Sequence, residues 1–214
     1  MSKQQFPPGW DEERAKQLIA HYESLTEEEQ VAEDEAAMQG MDAEAEKIIE
    51  EICEAFRDVP RGSLSLHQAI TKTWTDDERV AAAGAPDIDL HWEEIPAAYI
   101  EHGGKALYGA DPGSWRYFIP AFMVWSLRYF KVNDAFVSDQ TIYSFDPCRE
   151  KPEFHTHNMQ RYGTLSSLQK RAVSHFLKYM AQNDQYADST FARKALDEYW
   201  GQFDSSSEDV TKRK

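Results

Sequence analysis

Two cysteines in 214 residues, Cys53 and Cys148, are too few and too far apart for a disulfide framework or a CxxC thiolate metal site. Basic residues are scarce as well, 23 Lys and Arg against 38 Asp and Glu, for a net charge of −15. A field of that sign repels nucleic acid and anionic membrane, so a direct role on either is not expected. No charged n-region leads into an apolar h-region at Met1–Pro8. The longest uncharged apolar run, between Arg116 and Arg128, is 11 residues, too short to span a bilayer. A cytoplasmic location is therefore expected.

Chemical signatures are equally sparse. Gly103-Gly104 and the pair Gly109 and Gly113 lack the lysine, serine and strand–helix context of a phosphate loop. No serine stands in GxSxG, and neither cysteine has a local nucleophile pattern. No cofactor and no catalytic residue set is assigned.

What is present is aromatic and helical. Aromatic residues make up 13% and hydrophobic residues 41% of the chain, enough to build a core. The charge is concentrated: residues 1–54 hold sixteen acidic and four basic side chains, a balance of −12. This divides the chain into an acidic helical lead segment at 1–40, a compact helical domain at 41–204 and a disordered tail at 205–214. In the lead segment, Phe6-Pro-Pro-Gly-Trp10 is extended, and Asp11–Glu13 open a helix whose stripe is Ala15, Leu18, Ile19 and Tyr22. Thr26 with Glu29 restarts a helix that reaches about Met38.

The main domain is mainly α, with at most one short strand pair. Ala45, Ile48, Ile49, Ile52, Cys53 and Phe56 line one helical face, with Cys53 a buried thiol. Ser65 with Gln68 and Thr75 with Glu78 form capping boxes for two short helices. Trp92-Glu-Glu-Ile-Pro96 leads to a short helix ending at Gly103-Gly104. Asp111-Pro112 is an N-cap followed by proline at the first helical position. The helix it opens, through Trp115–Phe130, is apolar nearly all round and so central, with Pro120 expected to kink it or end its first turns. Its aromatic side chains are expected in the core rather than on a ligand surface. Val137–Phe145 reads as the strand or strand pair, from Val137, Ile142, Tyr143 and Phe145. Ser166 with Gln169 caps a helix whose face is Leu168, Ala172, Phe176 and Tyr179, and a last helix spans Thr190–Phe203.

Two constellations could carry chemistry. His155-Thr-His157, if extended, points both imidazoles to one side, where a metal could be completed by Asp146, Cys148 or Glu153; the plain alternative is two polar loop histidines. His91-Trp-Glu-Glu94 offers a histidine with paired carboxylates, against a solvated capping segment. His21 reads as a surface or interface residue, and His175 as a satisfied residue bordering its helix's apolar face.

The order Pro8-Gly9-Trp10-Asp11-Glu12-Glu13-Arg14, Ile19-Ala20-His21-Tyr22-Glu23, Thr26-Glu27 and Val31–Ala37 resembles a module of short bacterial proteins associated with antitoxins of toxin–antitoxin pairs. Residues 45–182, through Ile52–Phe56, Trp92–Pro96, Trp115–Phe122, Ser138-Asp139, Leu165–Gln169, Ala172-Val173 and Phe176-Leu177, are similar to an uncharacterised bacterial domain family. That likeness implies a fold and no catalytic residues. Together the resemblances imply a bacterial, partner-neutralising protein. The expectation is a non-enzymatic interaction protein, antitoxin- or immunity-like. It would bind a basic protein such as a toxin or nuclease through Trp10, Leu18, Ile19, Tyr22, Glu27, Glu33, Asp34 and Glu35. Other readings of the acidic segment are a solubilising helix pair and a mimic of a nucleic-acid backbone. For the whole chain the alternatives are a metal-dependent or small-molecule enzyme centred on His155 and His157, and an accessory subunit of a larger bacterial assembly.

Overall fold

Isoleucines and Phe56 at helical spacing, with glutamates between them, make α1 (Ala43–Phe56) amphipathic, and Ala45, Ile48, Ile49, Ile52 and Phe56 are buried on one side. The computed structural model describes residues 43–66, 68–69, 91–131, 136–183 and 187–204. The lead segment, the capping box at Thr75–Glu78 and the C-terminal tail lie outside the described residues. After α1 come a 3-10 turn (Trp92–Glu94), α2 (Ala97–Gly103), α3 (Ala106–Gly109), α4 (Pro112–Tyr129), α5 (Val137–Tyr143), α6 (Pro152–Gly163), α7 (Ser167–Ala181), α8 (Ser189–Glu198) and a closing 3-10 turn (Trp200–Phe203). The described residues contain helices and no strand.

Helix α4 is the axis. It packs against α1, α5, α6 and the Trp92 turn, while α7 packs against α1, α8 and the closing turn. Thirteen of the eighteen α4 residues are buried, as a helix apolar all round requires. Its start is cut sharply. The Asp111 carboxylate accepts from the Gly113 and Ser114 amides at 3.0 and 3.1 Å and from the Ser114 hydroxyl at 2.6 Å. The Ser63 hydroxyl donates to the same carboxylate at 2.8 Å. Burial pushes the Asp111 carboxyl up, but these donors from Ser114, Ser63 and Gly113 outweigh it and hold it below its ordinary range.

Five sequence expectations need correction. Pro120 neither ends α4 nor splits it: the helix runs from Pro112 to Tyr129, with the proline buried inside. The hydrogen bond that proline cannot donate is outweighed by core packing around the helix. Val137–Phe145 is not a strand. Val137, Ser138, Thr141, Ile142 and Phe145 are buried, a helical rather than alternating spacing, and the Thr141 hydroxyl donates back to the Val137 carbonyl at 2.8 Å. On α7, Leu168 is 54% exposed and Gln169 is 3% exposed, the reverse of their hydropathy. Gln169 completes the capping box with Ser166 and its amide also donates to the Ala55 carbonyl at 3.1 Å, so its burial is fully bonded. The last helix stops at Glu198, because Tyr199 leaves helical geometry (φ −150°, ψ −47°) and the chain continues as a 3-10 turn. Cys53 is half-buried rather than enclosed.

No helix among the described residues is long and apolar enough to cross a membrane.

Candidate functional site

A network of polar contacts surrounds the turn between α5 and α6, residues 144–151. Pro147 restricts this segment and Cys148 adopts a left-handed conformation (φ 52°), unusual for a residue bearing a Cβ. The Asp146 carboxylate holds it there by accepting the Cys148 amide at 2.8 Å. Its second oxygen meets the Lys194 ammonium at 3.1 Å, and Lys194 also reaches Glu150 at 3.0 Å and Glu198 at 3.9 Å. Burial disfavours the charged form of Lys194, but Glu150, Asp146 and Glu198 outweigh it and hold the ammonium protonated.

Helix α6 supplies the wall of this turn. The Asn158 amide donates to the Asp146 carbonyl at 2.8 Å, and the Tyr162 hydroxyl lies 3.0 and 3.1 Å from the Ser144 and Asp146 carbonyls. Burial drives the Tyr162 phenol well above its ordinary value, so it stays a donor. Arg161, 2% exposed, donates through one nitrogen to the Tyr108 and Ala110 carbonyls at 2.9 and 2.7 Å, covering the C-terminal end of α3. Desolvation brings its pKa down to about 10, still protonated at neutral pH, and takes the neighbouring Tyr108 phenol up to about 12.

The histidine pair is not aligned. His155 and His157 lie on α6, where two residues advance about 200° round the axis, so the two rings leave on different sides. The extended geometry that would aim both at one metal is absent. The carbonyl of Pro147 can only accept, so His155 Nδ1 carries its proton and donates to it at 2.7 Å. His157 is lowered below its ordinary pKa by burial and by the charge of Arg161 one turn on. Among the described residues no group of three His, Cys, Asp or Glu side chains is placed to hold a metal ion.

The other candidates are tied to backbone or to one another. His91 donates from Nε2 to the Arg57 carbonyl at 2.9 Å, and the Glu94 carboxylate turns back to accept the His91 amide at 2.8 Å, so Glu94 caps the Trp92 turn. Glu93 faces His91 at 3.7 Å. His175 sits between two carboxylates, Glu51 at 2.6 Å and Asp204 at 3.5 Å; Arg171 pairs with Glu51 at 3.1 Å and Lys178 with Asp204. That ties α1, α7 and the end of the domain together, the satisfied role expected of His175. Both thiols are pushed up by burial, with Glu93 adding to the effect at Cys53 and Asp146 at Cys148, so neither is poised as a nucleophile.

Trp10, Leu18, Ile19, Tyr22, Glu27, Glu33, Asp34 and Glu35 lie outside the described residues. Arg161, Lys194, Asp139 and Asp188 had no sequence signal. Each takes its meaning from partners 45 to 53 residues away.

A family model described as "Family of unknown function (DUF6714)" matches residues 44–204, and the chain belongs to this family. No curated protein and no solved structure matches the chain.

Proposed function

We propose that this member of the family acts by binding rather than by catalysis, as an antitoxin- or immunity-like protein. In this reading the acidic lead segment engages a basic protein partner through Trp10, Leu18, Ile19, Tyr22, Glu27, Glu33, Asp34 and Glu35. The observation that carries it is the charge distribution. Residues 1–43, ahead of the family match that begins at residue 44, hold −8 of the −15 charge. Acidic density at one end of a chain raises the encounter rate with a basic surface and sets which partners are rejected. The likeness of residues 8–37 to the antitoxin-associated module points the same way.

The test uses the tagged full chain expressed in its host of origin, beside a variant carrying Glu27→Gln, Glu33→Gln, Asp34→Asn and Glu35→Gln. A basic protein recovered in fixed stoichiometry with the parent chain, and lost with the variant, is the expected result. Recovery of the same partner by both chains, or of none by the parent, overturns the reading.

A further inference from the structure

Three aromatic rings meet at the surface where α5 and α8 approach. Phe136 is 57% and Phe191 38% exposed, and Tyr143 lies between them, its ring 5.8 Å from Phe136 and 4.7 Å from Phe191. Both contacts are edge-to-face, so ring faces remain on offer. Two carboxylates border the ridge. The Tyr143 hydroxyl donates to Asp188 at 2.7 Å, and the Asp188 amide donates to Asp139 at 2.9 Å. Asp188 also caps α8, accepting the Phe191 amide at 3.4 Å.

The charge at this place is uncompensated. Among the described residues neither Asp139 nor Asp188 forms an ion pair, whereas close by Asp146 and Glu150 share the ammonium of Lys194, and Glu198 meets both Lys194 and Arg149. That ammonium lies 6.0 Å from the Phe191 ring centre, and no described cation covers Phe136 or Tyr143. Aromatic faces attract cations through their quadrupole, and bordering carboxylates add direct attraction. A second copy of this chain is the wrong occupant, since two molecules of net charge −15 repel. Between the two basic side chains, arginine fits better. Its plane stacks on a ring while its fork of N–H groups meets a carboxylate, which a point-charge ammonium cannot do.

We propose that the Phe136–Tyr143–Phe191 ridge, with Asp139 and Asp188 at its border, docks an arginine-bearing segment of a basic protein partner. The class of partner rests on the reading above; the place does not, because its residues belong to the folded domain.

The probe is a fluorescent alanine–arginine peptide, with alanine–lysine and alanine–glutamate peptides of equal length, titrated into the full chain. Affinity is followed by anisotropy and location by amide resonances of residues 136–143 and 188–191. Three variants are compared: Phe136→Ala, which removes an exposed ring; Asp139→Asn with Asp188→Asn, which removes both charges, keeps an acceptor for the Asp188 amide and leaves the residue-188 side chain one acceptor oxygen where the parent uses two; and the four-site lead variant described above. The arginine peptide is expected to shift the ridge amides and to bind more tightly than the lysine peptide. Each ridge variant should weaken it by about fivefold. Still ridge amides at saturation, unchanged affinity in both ridge variants, or equal binding of the lysine peptide would overturn the proposal. If only the lead variant loses affinity, the ridge fails and the lead segment stands. If only the ridge variants lose it, the ridge stands and the lead segment fails.

Discussion

The indole of Trp200 donates to the main-chain carbonyl of Phe145 at 2.8 Å while its ring meets the Phe145 ring edge-on, centres 5.3 Å apart. One side chain thus ties the closing turn of the domain to the turn that follows α5. Around it, Tyr162, Tyr199 and Phe203 complete an aromatic cluster. The break of helix at Tyr199 is what turns Trp200 inward.

Replacing Trp200 separates these two contributions. Trp200→Ala empties a fully buried site and should destabilise the domain by roughly 3–5 kcal/mol. Trp200→Phe keeps most of the packing but strands the Phe145 carbonyl, at a cost of about 1–3 kcal/mol. Urea unfolding of the full chain followed by circular dichroism measures both, and a Trp200→Phe variant as stable as the parent chain would remove the hydrogen bond from the account.

Gln169 and Leu168 invert the usual rule that the apolar neighbour matters more. Gln169→Ala removes half of a capping box and the donor to Ala55, and should lose about 1–2 kcal/mol. Leu168→Ala, at an exposed position, should change stability by less than about 0.5 kcal/mol. The ordering of the two unfolding midpoints is the check.

Two glycines should behave oppositely when given a methyl group. A Cβ on Gly62 would collide with the backbone of Ser114 at the start of α4, and Gly62→Ala should cost about 1–3 kcal/mol or more. At Gly163, the last residue of α6, a Cβ meets nothing within 4 Å, and Gly163→Ala should stabilise by about 0.5–1 kcal/mol. Thermal melts of the two variants should fall on either side of the parent chain.

Asp139 is raised above its ordinary pKa by burial, and by the charge of Asp188 as well, against the amide bond from Asp188. A carboxyl raised in the folded state opposes folding once ionised. Its penalty is absent below the unfolded pKa, about 4. It grows as pH rises through the folded value, and is present in full above that. Asp139→Asn keeps an acceptor for the Asp188 amide, so it should stabilise the domain at neutral pH, with the gain vanishing toward pH 3. Unfolding free energies of both chains across that range test the sign. A gain at neutral pH with the ridge function lost would identify a charge kept at the expense of the fold.

Helix periodicity was legible wherever one face alone is buried, as in α1, and so were caps that act within four residues: Asp111 on α4, Ser166 with Gln169 on α7, and Ser65 with Gln68 at 2.9 and 3.2 Å. These depend on neighbours in sequence, which a sequence displays. The reading failed at Val137–Phe145 because β-branched and aromatic residues also fit a helix whose buried face is supplied by α4 and α8. It failed at Leu168 because hydropathy ignores where the partner helix lies.

For the candidate sites the division is sharper. The amino-acid sequence alone determined the helical class, the central place of the Trp115–Phe130 stretch and the segregation of negative charge into the first 54 residues, all of which follow from local composition and spacing. Only the tertiary structure decided that His155 and His157 diverge, that Arg161 serves main-chain carbonyls, and that Phe136, Tyr143 and Phe191 form one ridge with Asp139 and Asp188. Burial and charge pairing depend on which distant elements meet, and Tyr143 and Asp188 are 45 residues apart.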